Sequence, residues 1–155
     1  MMWTLWLVAG LAAAADDDRE RALRALRPRH MEASCAALVE DLATPVPTLR
    51  WVAESVPQPP WVAVRAAGCL VSERPTEARD DLLRWVRSPE WAGLARVAVG
   101  QLDQLPGGLA RELATAAVQG PLDHELRDLL RRSENDDVQA ILGDAEQVGP
   151  GVGKK

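Results

Sequence analysis

The sequence predicts an all-α protein: a short α-solenoid of stacked antiparallel helix pairs, about three repeats between two capping helices. Three observations predict it. Ala and Leu outnumber the β-branched and aromatic residues that favour strands, and Phe and Tyr are absent from the 155 residues. Val64-Arg65, Ala95-Arg96 and Leu126-Arg127 recur 31 residues apart, and at the same shift Trp51, Leu82 and Leu113 superpose, Gly68 meets Val99 and Leu130, and Pro75 falls on Pro106. Prolines and glycines stand between apolar runs of helical period. A fixed interval of this kind marks helix pairs, each exposing an apolar face that only a neighbouring pair can cover. At 47% hydrophobic and 26% charged, the composition is globular, and its length fits one compact domain.

Residues 1–15, MMWTLWLVAGLAAAA, read as a secretory signal peptide, with Ala13 and Ala15 at the small-residue positions before an acidic Asp16-Asp17-Asp18. The run has no Lys or Arg and is short against the roughly 20 residues that span a bilayer. A buried first helix or a membrane anchor is the alternative. The expectation is an exported protein, periplasmic or extracellular, with no stable membrane insertion once the segment is removed. Residues 16–44 form the N-terminal cap. There Leu23, Leu26, Met31, Cys35, Leu38, Val39 and Leu42 give an amphipathic stripe, and Pro28 confines the regular helix to about 28–43 after a shorter basic turn.

The repeats occupy 45–133, as helix pairs over 45–73, 76–105 and 107–133. Pro45 and Pro60 suit first helical positions, and Thr76 suits a cap. Ser88-Pro89-Glu90 is a start signal that combines a cap, a proline and an acid in the first turn. Gly120-Pro121 ends the fifth repeat helix, and Leu122, Leu126 and Leu130 line the sixth. Asn135 or Asp136 caps a final helix over 134–145 that carries Val138, Ile141 and Leu142 and closes at Gly143. Residues 146–155 form a glycine-rich flexible tail.

Few residues here carry chemistry. His30 and His124 are the only imidazoles, no serine has a G-x-S-x-G setting and no H-E-x-x-H occurs, so no catalytic residue, metal site or cofactor is expected. The net charge of −5 and the acids preceding the basic run RERALRALRPR argue against nucleic acid. Cys35 and Cys69 lack the close second ligand that zinc sites use. In an oxidising compartment they are candidates for one disulfide, since stacked helices would bring them about a turn apart on matching faces; two buried thiols are the other reading. Trp61, Trp85 and Trp91 serve either as packing or, if exposed, as a binding hot spot.

The run Pro60-Trp61-Val62-Ala63-Val64-Arg65-Ala66-Ala67 heads the second helix of a roughly 30-residue pair, and with its recurrences it resembles the HEAT-repeat family over 45–133. The resemblance implies a curved stack whose second helices line a concave side, and a task of holding another macromolecule. It also implies that Arg65, Arg96 and Arg127 tie successive repeats together. The same arginines, with His124, would make a binding surface for an acidic partner. The function expected is an exported module that binds or scaffolds another protein, with no catalysis of its own. Its rivals are a small-ligand binder or enzyme using Arg96, Arg127 and His124, and a structural subunit of an envelope assembly.

Overall fold

Proline and side-chain caps set the helix boundaries, and every regular element among the described residues is helical. The computed structural model describes residues 4–30, 33–120 and 123–147, with side chains from residue 14 onward. Its α-helices are α1 (Thr4–Leu26), α2 (Cys35–Asp41), α3 (Pro45–Ser55), α4 (Pro60–Glu73), α5 (Arg79–Arg87), α6 (Ala92–Val99), α7 (Gly107–Gln119), α8 (His124–Arg132) and α9 (Asp136–Gln147). They fall into two compact units, residues 1–78 and 79–155. No helix among the described residues is long and apolar enough to cross a membrane.

In the first unit the helix expected over 28–43 is replaced by a shorter one. The basic run belongs to α1, which stops at Leu26 because Arg27 precedes a proline and is driven out of helical geometry. Ser34 then restarts the chain: its Oγ accepts from the Ala37 amide at 3.2 Å, so α2 begins only at Cys35. Met31, placed on the expected stripe, lies outside the described residues. Pro45 and Pro60 open α3 and α4 at positions where a helix needs no amide donor. Leu26, Leu49, Val52, Val62, Ala66 and Leu70 fill the core, with α1 packed on α3 and both α2 and α3 packed on α4.

In the second unit, residues 75–78 precede it as turns, so Thr76 caps nothing and α5 begins at Arg79. Pro89 opens a 3₁₀ turn over Pro89–Trp91, and Ser88 makes no side-chain cap bond there. Helix α6 ends at Val99, short of the expected stop before Pro106, and the chain tightens into a second 3₁₀ turn at Leu102–Gln104. Gly143 does not close α9, which runs on through Asp144, Ala145 and Glu146 to Gln147. A mid-helix glycine costs about 1 kcal/mol relative to alanine, and Gly143 does not adopt the left-handed conformation with which a glycine often closes a helix. Leu122, Pro121 and the tail from residue 148 lie outside the described residues.

Helices α5 and α7 run side by side in the same direction. Arg79 Nε at the start of α5 meets Glu112 Oε2 in the middle of α7 at 2.7 Å, and Gly120, just after α7, sits so near the end of α5 that a Cβ there would stand 3.3 Å from the Val86 carbonyl oxygen. Helices α6 and α8 are likewise parallel: Arg96 reaches Asp123 just before α8, and a Cβ on Gly100 would meet Leu129 Cδ2 at 3.8 Å. Their shared core holds Trp85, Leu82, Leu113, Leu130 and Val138.

Candidate binding surface

Helix α4 is tied down on several sides. The last carbonyls of α1 have no intrahelical donor, and Arg65 supplies one: its Nη1 donates to Leu26 O at 2.9 Å and to Pro28 O, and its Nη2 donates to Arg29 O. Trp61 Nε1 donates to Arg27 O at 3.2 Å. Cys69, fully buried on α4, is bonded to Cys35 at the start of α2, with Cα atoms 5.0 Å apart. Together these contacts tie α4 to α1 and α2 and leave one face of it outward. On that face stand Trp61, 37% exposed, and Val64, 49% exposed, the large hydrophobics that remain exposed among the described residues. They are three residues apart and so share a helix face.

The other arginines of the column differ from Arg65. Arg96 Nη2 donates to Asp123 Oδ2 at 3.0 Å, and its Nε lies 2.5 Å from Glu125 Oε2. That second contact is an ion pair without hydrogen-bond alignment, since Nε has no bonded partner by geometry. Asp123 in turn accepts from the Leu126 amide at 2.8 Å and caps α8. Arg96 therefore ties α6 to the start of α8. Arg127 is exposed, and its side chain makes no hydrogen bond or ion pair among the described residues. His124 is 84% exposed on its side chain, with Nδ1 3.3 Å from Asp128 Oδ2 one turn on. A hollow of about 300 Å³ beside Arg96 is lined by Glu125, Asp128, Leu129 and Arg132. Arg127 and His124 are not part of its lining, so the three residues of the small-ligand reading do not converge. Arg65 belongs to the first unit and Arg96 and Arg127 to the second. Among the described residues no cluster of three metal-ligating side chains occurs.

Trp85 is fully buried, and Trp91 is half-buried with the Arg84 guanidinium 5.8 Å from its ring centre. Only Trp61 of these three presents its ring to solvent, and Arg19 stacks at 4.7 Å on a fourth, Trp51.

Sequence reasoning missed three aspartates that hold the turns around this framework. Asp18, 1% exposed, accepts from Ala43 N at 3.1 Å, Thr44 N at 2.7 Å and the Thr44 hydroxyl at 3.0 Å, satisfying the approach to α3 from the body of α1. Burial works to raise its pKa, but the Thr44 and Ala43 hydrogen bonds and the Arg21 charge outweigh it and leave the carboxyl below its ordinary value. Asp103 accepts from the Ser133 hydroxyl and from Glu134 N, and that hydroxyl bond first, then the amides, lowers its pKa against a smaller opposing effect of burial. The Leu126 amide, followed by Arg96, lowers Asp123 in the same way against partial burial. Only Asp123, at the head of a helical run, carried a local signal, as a cap.

Comparison of the chain with family models, with characterised proteins and with solved structures finds no match to any of them.

Proposed function

We propose that the chain is an exported, HEAT-like helical-repeat module that binds or scaffolds another protein and performs no catalysis itself. The observation that carries this reading is the outward apolar face of α4. Trp61 is fixed in place by its bond to Arg27 O, and Val64 lies beside it. An exposed tryptophan whose orientation is already set loses little entropy on docking, and such residues dominate binding energy at interfaces.

Two further observations support parts of the reading. The parallel pairings α5 with α7 and α6 with α8 are what a repeating helix pair requires of its successive first and second helices. The Cys35–Cys69 disulfide suits an oxidising compartment, in agreement with the signal-like composition of residues 1–15.

The test is capture from the envelope of the source cell by the chain beginning at Asp16. A discrete protein retained by the wild type and lost by a folded W61A/V64S variant supports the reading. A partner retained equally by the variant removes the α4 face from it, and a chain that retains no protein while turning over a small substrate overturns it.

A further inference from the structure

The groove between α5 and α7 is lined by three arginines and one acid, Glu112. It encloses about 390 Å³. Its floor is apolar, made of Leu83, 5% exposed, and Ala116, 3% exposed. Its rim carries Arg79 and Arg87, two turns apart on α5, and Arg111 on α7. Where α5 begins, Arg79 is engaged by Glu112 from the middle of α7 at 2.7 Å, a clamp between the two helices, and by Asp80 at 2.7 Å.

Further along no such clamp exists. Arg87 is exposed and makes no hydrogen bond or ion pair among the described residues, and its neighbours in the groove, Thr115 and Gln119, are uncharged. Arg111, one residue before Glu112 on α7, pairs among the described residues only with Asp137 at 3.9 Å, with both side chains more than half exposed, a distance and setting that contribute little. A chain with a net charge of −5 thus carries a cationic rim over an apolar floor, with two guanidinium groups not committed to the fold.

We propose that this groove is a docking site for an acidic segment of a partner protein, with carboxylates on Arg87 and Arg111 and a small apolar side chain on the Leu83–Ala116 floor. The inference rests on the reading of the chain as a protein-binding module and adds the chemistry of the partner. Two helices lying side by side leave a channel between them, and an amphipathic helix laid in a groove is a recurrent mode of peptide recognition. Guanidinium groups pair with carboxylates through two parallel hydrogen bonds, which gives orientation as well as attraction.

The probe is a fluorescein-labelled helical peptide of glutamate, leucine and alanine, with its glutamine counterpart as control, titrated against the full chain by fluorescence anisotropy. Binding of the acidic peptide alone is expected, lost in about 0.5 M salt and weakened about tenfold in R87Q/R111Q. The charge-matched variant R24Q/R132Q, altered at exposed arginines outside the groove, should bind as the wild type does. Equal binding of both peptides, equal weakening in the two double variants, or no binding at all overturns the proposal. Self-association of the chain that R87Q/R111Q abolishes, without peptide binding, makes a second copy the occupant and overturns it as well. Because the W61A/V64S variant leaves the groove intact, retention of the acidic peptide by that variant separates the groove from the α4 face.

Discussion

Removing the Cys35–Cys69 bond should destabilise the first unit far more than any surface change in it. The bond closes a loop of 34 residues, and restricting the unfolded chain by a loop of that length stabilises the fold by about 4 kcal/mol at room temperature. Against the 5–15 kcal/mol or so that separates most folded domains from their unfolded state, that is a large share. The variant of choice is C35A/C69A, because a serine at the fully buried position 69 would add an unsatisfied hydroxyl and confuse the result. With an m-value of about 1–2 kcal/mol per molar urea, the midpoint of the first unit should fall by about 2–4 M. Hydrogen exchange read by mass spectrometry localises the effect. Amides of α2 and α4 should lose protection, while α7 and α8, in the unit that has no cysteine, serve as the reference. Unchanged protection of α2 and α4 in the variant would refute the reasoning.

The three aspartate ties predict acid sensitivity. Hydrogen bonds to each carboxylate hold it below its ordinary value in the folded chain, whereas an unfolded aspartate titrates at about 3.9. Their contribution should therefore be complete above about pH 5 and lost as the pH falls through 4 into the folded range. Urea midpoints between pH 6 and pH 3 measure it, and D18N should lower stability by about 2–3 kcal/mol at neutral pH and flatten the acid limb; a limb of unchanged steepness in D18N counts against the assignment. R65A should cost about 1–3 kcal/mol by stripping donors from the end of α1, whereas R127A should stay within about 0.5 kcal/mol in the same thermal melts; equal losses would contradict the different roles given to the two arginines. A chain beginning at Asp16 keeps Asp18, Arg19, Arg21, Ala22 and Leu26, which bond to or pack on the rest of the first unit. It should retain the helical circular dichroism of that unit, and its collapse would mean that residues 1–15 belong to the fold.

Helix content and most helix starts were legible in the sequence because they depend on local chemistry. Pro45 and Pro60 fall at first helical positions, and Asn135 Oδ1 accepts from the Asp137 amide at 3.0 Å as a cap should. Helix ends were harder. The stop at Leu26 follows from Pro28, yet the apolar stripe of Cys35, Leu38 and Val39 continues the same period and hides the break. Gly143 looked like a stop, and only its backbone geometry shows that it is not.

Of the candidate site, the disulfide pair could be read from spacing and compartment, and the recurrence singled out Arg65 before its partners were known. The partners themselves were not legible. Arg65 bonds to backbone carbonyls 36 to 39 residues away, and Asp18 to amides 25 and 26 residues away. Backbone groups have no side-chain identity, so no pattern of residue types marks such ties. A repeat in the sequence also does not keep chemistry constant: the same column holds a helix cap at 65, an ion pair at 96 and a solvated side chain at 127. What separates them is where each helix ends, which is a property of the packed fold.

Photo-crosslinking from the face of α4 tests the central claim most directly. With a photoreactive phenylalanine analogue at Val64, and at the exposed Asp144 as control, irradiation of cells producing the chain should yield one discrete higher-mass adduct from position 64 and none from position 144. No adduct from position 64, or the same diffuse products from both positions, would contradict the account of α4 as the protein-binding face.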